Sequence, residues 1–387
     1  MKDDALLGFS VALVVAAILT PPVARLARRV GAVDAIKDRG LAREATPLLG
    51  GLAIFAGAIV AALLFLPMTS ATKGILGGAA LITAVGALDD WRELSVGTKL
   101  AGQVAAALVM VLSGVTVDTI TLPLLGHIEF DTTGDVLTLL GLVGVMNVVN
   151  FSDGIDGLAA GVCAISAAAF AVIAFDLQKD SAGVLAAITA GAAIGFLVHN
   201  FHPASVFMGD CGSNLLGLLL GGVIVEGSLK TNALIALIVP LVVLAVPFLD
   251  TGFVVAKRIK YRRPVYRADS NHFHHRFHRI GFSQRRTVLY LYGWTVTMAG
   301  LAVALRFVPY SDHGDLNLGW SLVMGGCLAL SLAASVYLVL VLEIFKLRRL
   351  RGWQLRHADP DTTEFDIDAE VERELETGEF RALDARY

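Results

Sequence analysis

The sequence predicts an all-α, polytopic integral membrane protein, with about eleven transmembrane helices around a cleft that faces the cytoplasm. Three observations predict it. Hydrophobic residues make up 56% of the 387-residue chain and charged ones 17%, which is too apolar for a soluble protein of ordinary surface. Apolar runs of bilayer-crossing length, about 20 residues each, recur along the chain. Lysine and arginine are gathered into a few of the connecting loops instead of being spread evenly.

The runs fall near residues 5–22, 48–67, 74–88, 99–115, 135–151, 158–176, 183–199, 213–227, 232–255, 288–308 and 319–345. The first follows the acidic start "MKDDALLGF" and ends in a basic loop without a small-residue cleavage site, so it reads as a retained helix and not a signal peptide. In the seventh, "GVLAAITAGAAIGF" offers the small residues that let membrane helices approach closely. Residues 116–131, "TVDTITLPLLGHIEFD", alternate as a hairpin does and predict an external cover. The segment "KLRRLRGWQLR" suits an anchor at an anionic membrane surface. Residues 358–387 carry 11 acids against three arginines and predict a solvated, partly helical cytoplasmic extension. The domain reading is thus a transmembrane domain over 1–350 and an acidic tail over 351–387. Cys163, Cys211 and Cys327 are widely spaced and odd in number, which argues against a disulfide framework or a metal cluster and for small apolar fillers.

Alternation of the runs, started with the N-terminus outside, places 26 of the 31 lysines and arginines on the inner side. The positive-inside rule then makes that side the cytoplasm, with the C-terminus there too. The same assignment brings four polar clusters to one face: "LDDWREL" with Asp89 and Asp90, "NVVNFSDGIDG" with Asn147, Asn150, Asp153 and Asp156, "HNFHPASVFMGDCGSN" with Phe207 and Asp210, and "RADSNHFHHRFHR" with His272, His274, His275 and Arg276. Any one of these could be a helix cap, a turn or an interfacial patch. All four on one side, at the edge of the apolar zone, point to function.

Five carboxylates with neighbouring amides and no thiolates suit a hard cation such as Mg²⁺, with Mn²⁺ as a substitute; such ions take oxygen ligands and share their shell with water and substrate phosphate. Histidine, arginine and lysine nearby can neutralise further phosphate charge. Glycines in "DGIDG" and "MGDCGS" let backbone approach a bulky anion. The pattern reads as metal-assisted phosphoryl chemistry on a nucleotide substrate at the inner membrane surface, with no nucleic-acid partner. A cation-coupled transporter is the reading from another class; it predicts acids near the bilayer midplane and two related halves.

These motifs, in order from "ATPLLGGLAIF" (45–55) through "LDDWRELSVGTKLAGQ", "NVVNFSDGIDGLAAG" and "HNFHPASVFMGDCGSNLLG" to the histidine-rich loop, resemble the polyprenyl-phosphate N-acetylhexosamine-1-phosphate transferases (glycosyltransferase family 4), and within them the UDP-GlcNAc:undecaprenyl-phosphate GlcNAc-1-phosphate transferase branch. The resemblance implies attack of a polyprenyl phosphate (undecaprenyl or decaprenyl) on the β-phosphorus of a UDP-sugar, with UMP leaving, as the first membrane step of a cell-envelope polysaccharide. It implies that Asp210 binds Mg²⁺ with Asn150 close by, that Asp156 contacts uracil and Phe207 stacks on it, and that His272, His274, His275 and Arg276 surround the diphosphate. Asp89, Asp90 and Lys99 match the group that meets the lipid phosphate and metal, with the division between the two aspartates left open. Asn147 joins the substrate-binding set, and Asp153 joins the catalytic set with its role open. A homodimer is plausible from relatives. "ADSNHFHHRF" resembles the form of the GlcNAc branch, but Ser270, Asn271 and Phe277 depart from it. "TPLLGG" stands where the phospho-N-acetylmuramoyl-pentapeptide transferases have another segment, which disfavours that alternative. UDP-GlcNAc is the first expectation for the donor, and UDP-GalNAc or a modified HexNAc the others.

Overall fold

The computed structural model describes residues 1–34, 46–117, 119–122, 126–130, 132–227, 241–260, 283–308, 311–312 and 315–341, with isolated positions beyond them. The described residues form helices α1 (Lys2–Val30), α2 (Gly51–Phe65), α3 (Ser70–Arg92), α4 (Val96–Leu112), α5 (Thr132–Ser152), α6 (Leu158–Asp176), α7 (Asp180–Asn200), α8 (Gly209–Gly227), α9 (Ala245–Lys260), α10 (Gln284–Phe307) and α11 (Leu318–Val341). Strand is confined, among the described residues, to three two-stranded antiparallel ribbons. The predicted hairpin is one of them: β3 (Thr119–Leu122) pairs with β4 (Gly126–Glu129), Ile120 opposite Ile128.

The chain is an all-α, multi-pass membrane protein. Among the described residues seven helices, α1, α3, α5, α6, α7, α10 and α11, are long and apolar enough to cross a bilayer, while α2 and α4 are apolar but shorter. The first helix outruns its apolar window. It continues through Pro21 and Pro22 to Val30, where Gly31 takes the left-handed conformation (φ 78°) and its N–H reaches back to the carbonyls of Ala27 and Arg28. Arg28 and Arg29 in the last turn oppose the negative end of the helix dipole.

Met1–Leu249 together with Tyr290–Val308 form one compact unit. Its centre is α8, buried at every position from Cys211 to Val225 and packed by α2, α3, α5, α6 and α7. The small residues predicted to allow close approach do so: a methyl on Gly191 would lie 2.2 Å from the Phe9 carbonyl oxygen, and one on Gly195 2.2 Å from that of Leu13. Thus α7 meets α1 backbone to backbone, where dispersion contacts and not water expulsion hold membrane helices together. A second unit comprises Asp250–Leu289 and Pro309–Tyr387, including α11 and the ribbon β5 (Ser311–Asp312) with β6 (Asp315–Leu316). The expected boundary at 350/351 lies outside the described residues.

Within the first unit the helices alternate in direction. The C-termini of α3, α5 and α7 and the N-termini of α4 and α8 share one end, tied by side-chain hydrogen bonds described below. The β3–β4 hairpin follows the far end of α4. The α10 helix spans the same distance, bonding Gly157 through Tyr292 near one end and pairing Arg306 with Asp176 (2.6 Å) at the other.

Candidate active site

The site begins where α3 stops. Its C-cap is Glu93, in left-handed conformation (φ 46°), and the turn that follows delivers the Leu94 N–H to Asp89 Oδ1 at 2.7 Å. Asp89, only 6% exposed, presents its other oxygen to Lys99 Nζ at 2.5 Å. Lys99 stands in the first turn of α4, which Ser95 caps by accepting the Thr98 N–H. The same ammonium donates to Asp210 Oδ2 at 2.9 Å. Asp210 is in the first turn of α8, and its Oδ1 accepts from Asn150 Nδ2 at 3.0 Å. Asn150 also donates to Ser213 Oγ at 2.8 Å. Four helices therefore contribute to one ion-pair cluster of Asp89, Lys99, Asn150 and Asp210.

Asp90, the neighbour of Asp89, is engaged differently. Its Oδ1 accepts the backbone N–H of Asp210 at 2.7 Å and its Oδ2 that of Cys211 at 3.2 Å. One ligand atom from each of Asp89, Asp90 and Asp210 lies within 4.8 Å of the others. The donor set fits a divalent cation: all oxygen, anionic, and already arranged around a positive charge, the Lys99 ammonium. Asp89, Asp210 and the amide oxygen of Asn150 are the groups that could hold it.

Behind the cluster runs a chain of amides. Asn147 Nδ2 donates to the Val143 carbonyl and to Gln103 Oε1, both at 2.8 Å. Gln103 Nε2 donates to Asn214 Oδ1 at 2.7 Å, and Asn214 Nδ2 to the Asp210 carbonyl at 2.9 Å. Gln103 and Asn214 are each 5% exposed, where an unpaired amide would be costly. The chain locks α4, α5 and α8 together, and it gives Asn147 a supporting place.

A second locus lies in the turn after α5. Gly157 has φ 81°; its N–H meets Asn200 Oδ1 at 3.0 Å, and its carbonyl accepts from Tyr292 Oη. Asn200 Nδ2 donates to the Val206 carbonyl at 2.9 Å. The turn so fixed sets Asp156 Oδ2 against His202 Nδ1 at 2.7 Å and the Ala204 N–H at 3.1 Å. Phe207 is half-buried and pinned by its backbone, its N–H to the Pro47 carbonyl and its carbonyl to the Gly50 N–H. Asp153, partly exposed at its surface, has its pKa pushed up to about 8 by the protein crowded around it, then by the negative charges of Asp210, Asp90 and Asp156.

Of the residues singled out from sequence, Asp89, Asp90, Lys99, Asn150 and Asp210 are joined directly, and Asn147 is joined through Gln103 and Asn214. Asp156 belongs to the His202 locus, and Asp153 stands between them electrostatically. His272, His274, His275 and Arg276 lie outside the described residues. Sequence reasoning passed over Gln103, Asn200, His202, Ser213, Asn214 and Tyr292. Some carried a signal: Gln103 stands four residues after Lys99, and Ser213 and Asn214 three and four after Asp210, spacings that share a helix face. Tyr292, in an ordinary apolar run, carried none.

Fold and site define a multi-pass helical membrane protein with an anionic, oxygen-rich site at one end of its bundle. Residues 72–228, which contain the Asp89–Lys99–Asn150–Asp210 cluster and the Asp156–His202 pair, match the model of glycosyl transferase family 4. The decaprenyl-phosphate N-acetylglucosaminephosphotransferase of Mycobacterium leprae is 35% identical over 84% of this chain and 89% of its own length. The probable undecaprenyl-phosphate N-acetylglucosaminyl 1-phosphate transferase of Bacillus subtilis is 37% identical over 74% and 80%. The phospho-N-acetylmuramoyl-pentapeptide-transferase of Moorella thermoacetica is 33% identical over 76% and 96%. The chain belongs to glycosyl transferase family 4 and is a membrane transferase, as its motifs predict.

Proposed function

We propose that the protein transfers a HexNAc-1-phosphate, GlcNAc-1-phosphate first among them, from a UDP-sugar to polyprenyl phosphate, yielding polyprenyl-diphosphate-HexNAc and UMP. The observation that carries this reading is the Asp89–Lys99–Asp210–Asn150 cluster at one end of an apolar bundle. There a lipid phosphate and a water-soluble nucleotide can meet. The relatives at 35–37% identity named for N-acetylglucosamine phosphate transfer favour GlcNAc over the muramoyl-pentapeptide alternative. Acids gathered at a helix-bundle end also favour a transferase over a transporter, whose ion sites belong at mid-membrane.

A phosphate monoester with a second pKa near ~6 is largely dianionic at neutral pH, so the nucleophile needs little deprotonation. It needs relief from the repulsion of a second polyphosphate, and in-line alignment with the bond to UMP. A lipid-phosphate oxygen forms the new bond to the β-phosphorus while the β-phosphorus to bridging-oxygen bond breaks and UMP leaves with that oxygen. Lys99 supplies one positive charge at this point. Asp210 and Asp89, with Asn150 orienting Asp210, would hold Mg²⁺, which when bound neutralises developing phosphate charge. Asp156 suits the N3–H of uracil as an acceptor, and Phe207 suits its flat face. We assign this end to the cytoplasmic side, with the N-terminus outside and about eleven crossings in all; for His272, His274, His275 and Arg276 the family resemblance proposes the diphosphate as ligand, and a homodimer is proposed from the family alone.

The test is UMP release from UDP-GlcNAc by the purified protein, with and without polyprenyl phosphate and Mg²⁺, beside Asp210→Asn. Release that requires both additions and vanishes in the variant supports the proposal. Release only from another UDP-HexNAc would change the sugar, and silence with every UDP-HexNAc would overturn the reaction.

A further inference from the structure

We infer that Asp90 is a positioning residue that clamps the N-terminus of α8, and that Asp89 alone of the adjacent pair serves the reacting groups. The inference rests on the reading of Asp210 as a metal-site residue. Consecutive helical residues project about 100° apart, so although one oxygen of each lies within 4.8 Å of the other, Asp89 and Asp90 meet different partners. Asp89 faces Lys99. Asp90 gives one oxygen to the N–H of Asp210 and the other to that of Cys211.

Those two N–H groups belong to the first turn of α8, where amides have no partner within their own helix. The residue preceding α8 is Met208, whose side chain has no oxygen to offer, so the acceptor comes from another helix 120 residues away in sequence. A carboxylate there also meets the positive end of the helix dipole.

The surrounding backbone is shaped for this approach. Gly209 has φ 71°, and a methyl on it would lie 2.3 Å from Asp90 Oδ2. One turn before Asp90 on the same face of α3, a methyl on Gly86 would lie 2.4 Å from Cys211 Cα. On the other side a methyl on Gly51 would lie 2.1 Å from the Gly212 nitrogen. Helices α2 and α3 thus grip the start of α8, and Asp90 is the polar part of that grip. The residue whose N–H it holds is the one whose carboxylate meets Lys99 at 2.9 Å and Asn150 at 3.0 Å. A shift of about 1 Å in such a group costs on the order of 100-fold in rate.

The experiment compares wild type, Asp90→Asn, Gly209→Ala and Asp210→Asn as full-length protein in nanodiscs. It measures kcat, the KM for polyprenyl phosphate, Mn²⁺ affinity by electron paramagnetic resonance, and hydrogen exchange at residues 210–212. Asp90→Asn and Gly209→Ala should behave alike, with kcat and Mn²⁺ affinity each lowered by roughly tenfold or more, the KM for polyprenyl phosphate within about twofold of wild type, and faster exchange at the start of α8. A KM for polyprenyl phosphate raised about tenfold by Asp90→Asn, with Mn²⁺ affinity unchanged, would make Asp90 a substrate contact and overturn the inference. Wild-type values throughout would overturn it as well. Should neither variant fold, wild type still decides: amides of Asp210 and Cys211 that exchange as freely as an uncapped helix end would refute the clamp. If Asp210→Asn binds Mn²⁺ like wild type, the metal-site reading fails, whatever Asp90 does.

Discussion

Replacing Lys99 with methionine removes the positive charge that separates Asp89 from Asp210 while keeping most of the side chain's apolar length. The ammonium sits 2.5 Å from one carboxylate and 2.9 Å from the other. At an effective dielectric of about 20, each contact has a gross Coulomb energy on the order of 6 kcal/mol. Desolvation cancels much of this, and the Lys99 side chain is 38% exposed, so solvent screening reduces it further; a net loss of about 2–3 kcal/mol is expected, between exposed and buried pairs. Two consequences should appear together. In EDTA the variant should melt several degrees below wild type. Without substrate it should bind Mn²⁺ roughly 30- to 100-fold more tightly, because the metal then relieves the repulsion that Lys99 relieved before. Activity should fall by about 100-fold or more, since the charge is also lost from the reacting phosphates. Differential scanning fluorimetry across a Mn²⁺ titration reads the first two. Unchanged melting in EDTA with unchanged Mn²⁺ affinity would refute the assignment of Lys99 as the counter-charge of this site.

Three further outcomes are expected. Gln103→Leu leaves Asn147 and Asn214 without their buried partner and should cost about 2–3 kcal/mol of stability; denaturation of the two proteins in the same detergent checks it, and equal midpoints would count against the amide chain. In metal-free protein Asp153 keeps its proton to about pH 8, far above the unfolded value near ~3.9, so the folded state holds the extra proton and stability falls as pH rises from about 4 through 8. Melting temperature in EDTA should therefore decline over that window in wild type and less in Asp153→Asn; parallel slopes would discard it. Arg92→Cys, at an exposed position and with Cys327 replaced by serine, should react with a membrane-impermeant maleimide only in inside-out vesicles, and labelling of intact cells would reverse the proposed topology.

Much of this architecture was legible because membrane helices announce themselves by composition alone. Each run read from the sequence contains or overlaps a described helix, and the alternation of β3 and β4 was visible as period two. What composition hides is where a helix ends when polar and proline residues remain compatible with it, as α1 shows by continuing eight residues beyond its apolar window. The site was legible as residue types at one face. Its internal division was not, because Asp89 and Asp90 are chemically identical and differ only in what the turn at Glu93 and the start of α8 place before them. Asn147 illustrates the same limit: nothing in its motif encodes that its amide meets Gln103 on a neighbouring helix. Tyr292 reaches Gly157 across 135 residues of sequence, a contact that no local pattern encodes.

The central claim is that a sugar phosphate, and not a bare sugar, passes to the lipid. UDP-GlcNAc labelled with ³²P in its β-phosphate, incubated with the protein, polyprenyl phosphate and Mg²⁺, tests it directly. The label should move into the organic-soluble product in step with the release of unlabelled UMP. Label that remains in water as UDP while the sugar enters the lipid phase would contradict the account.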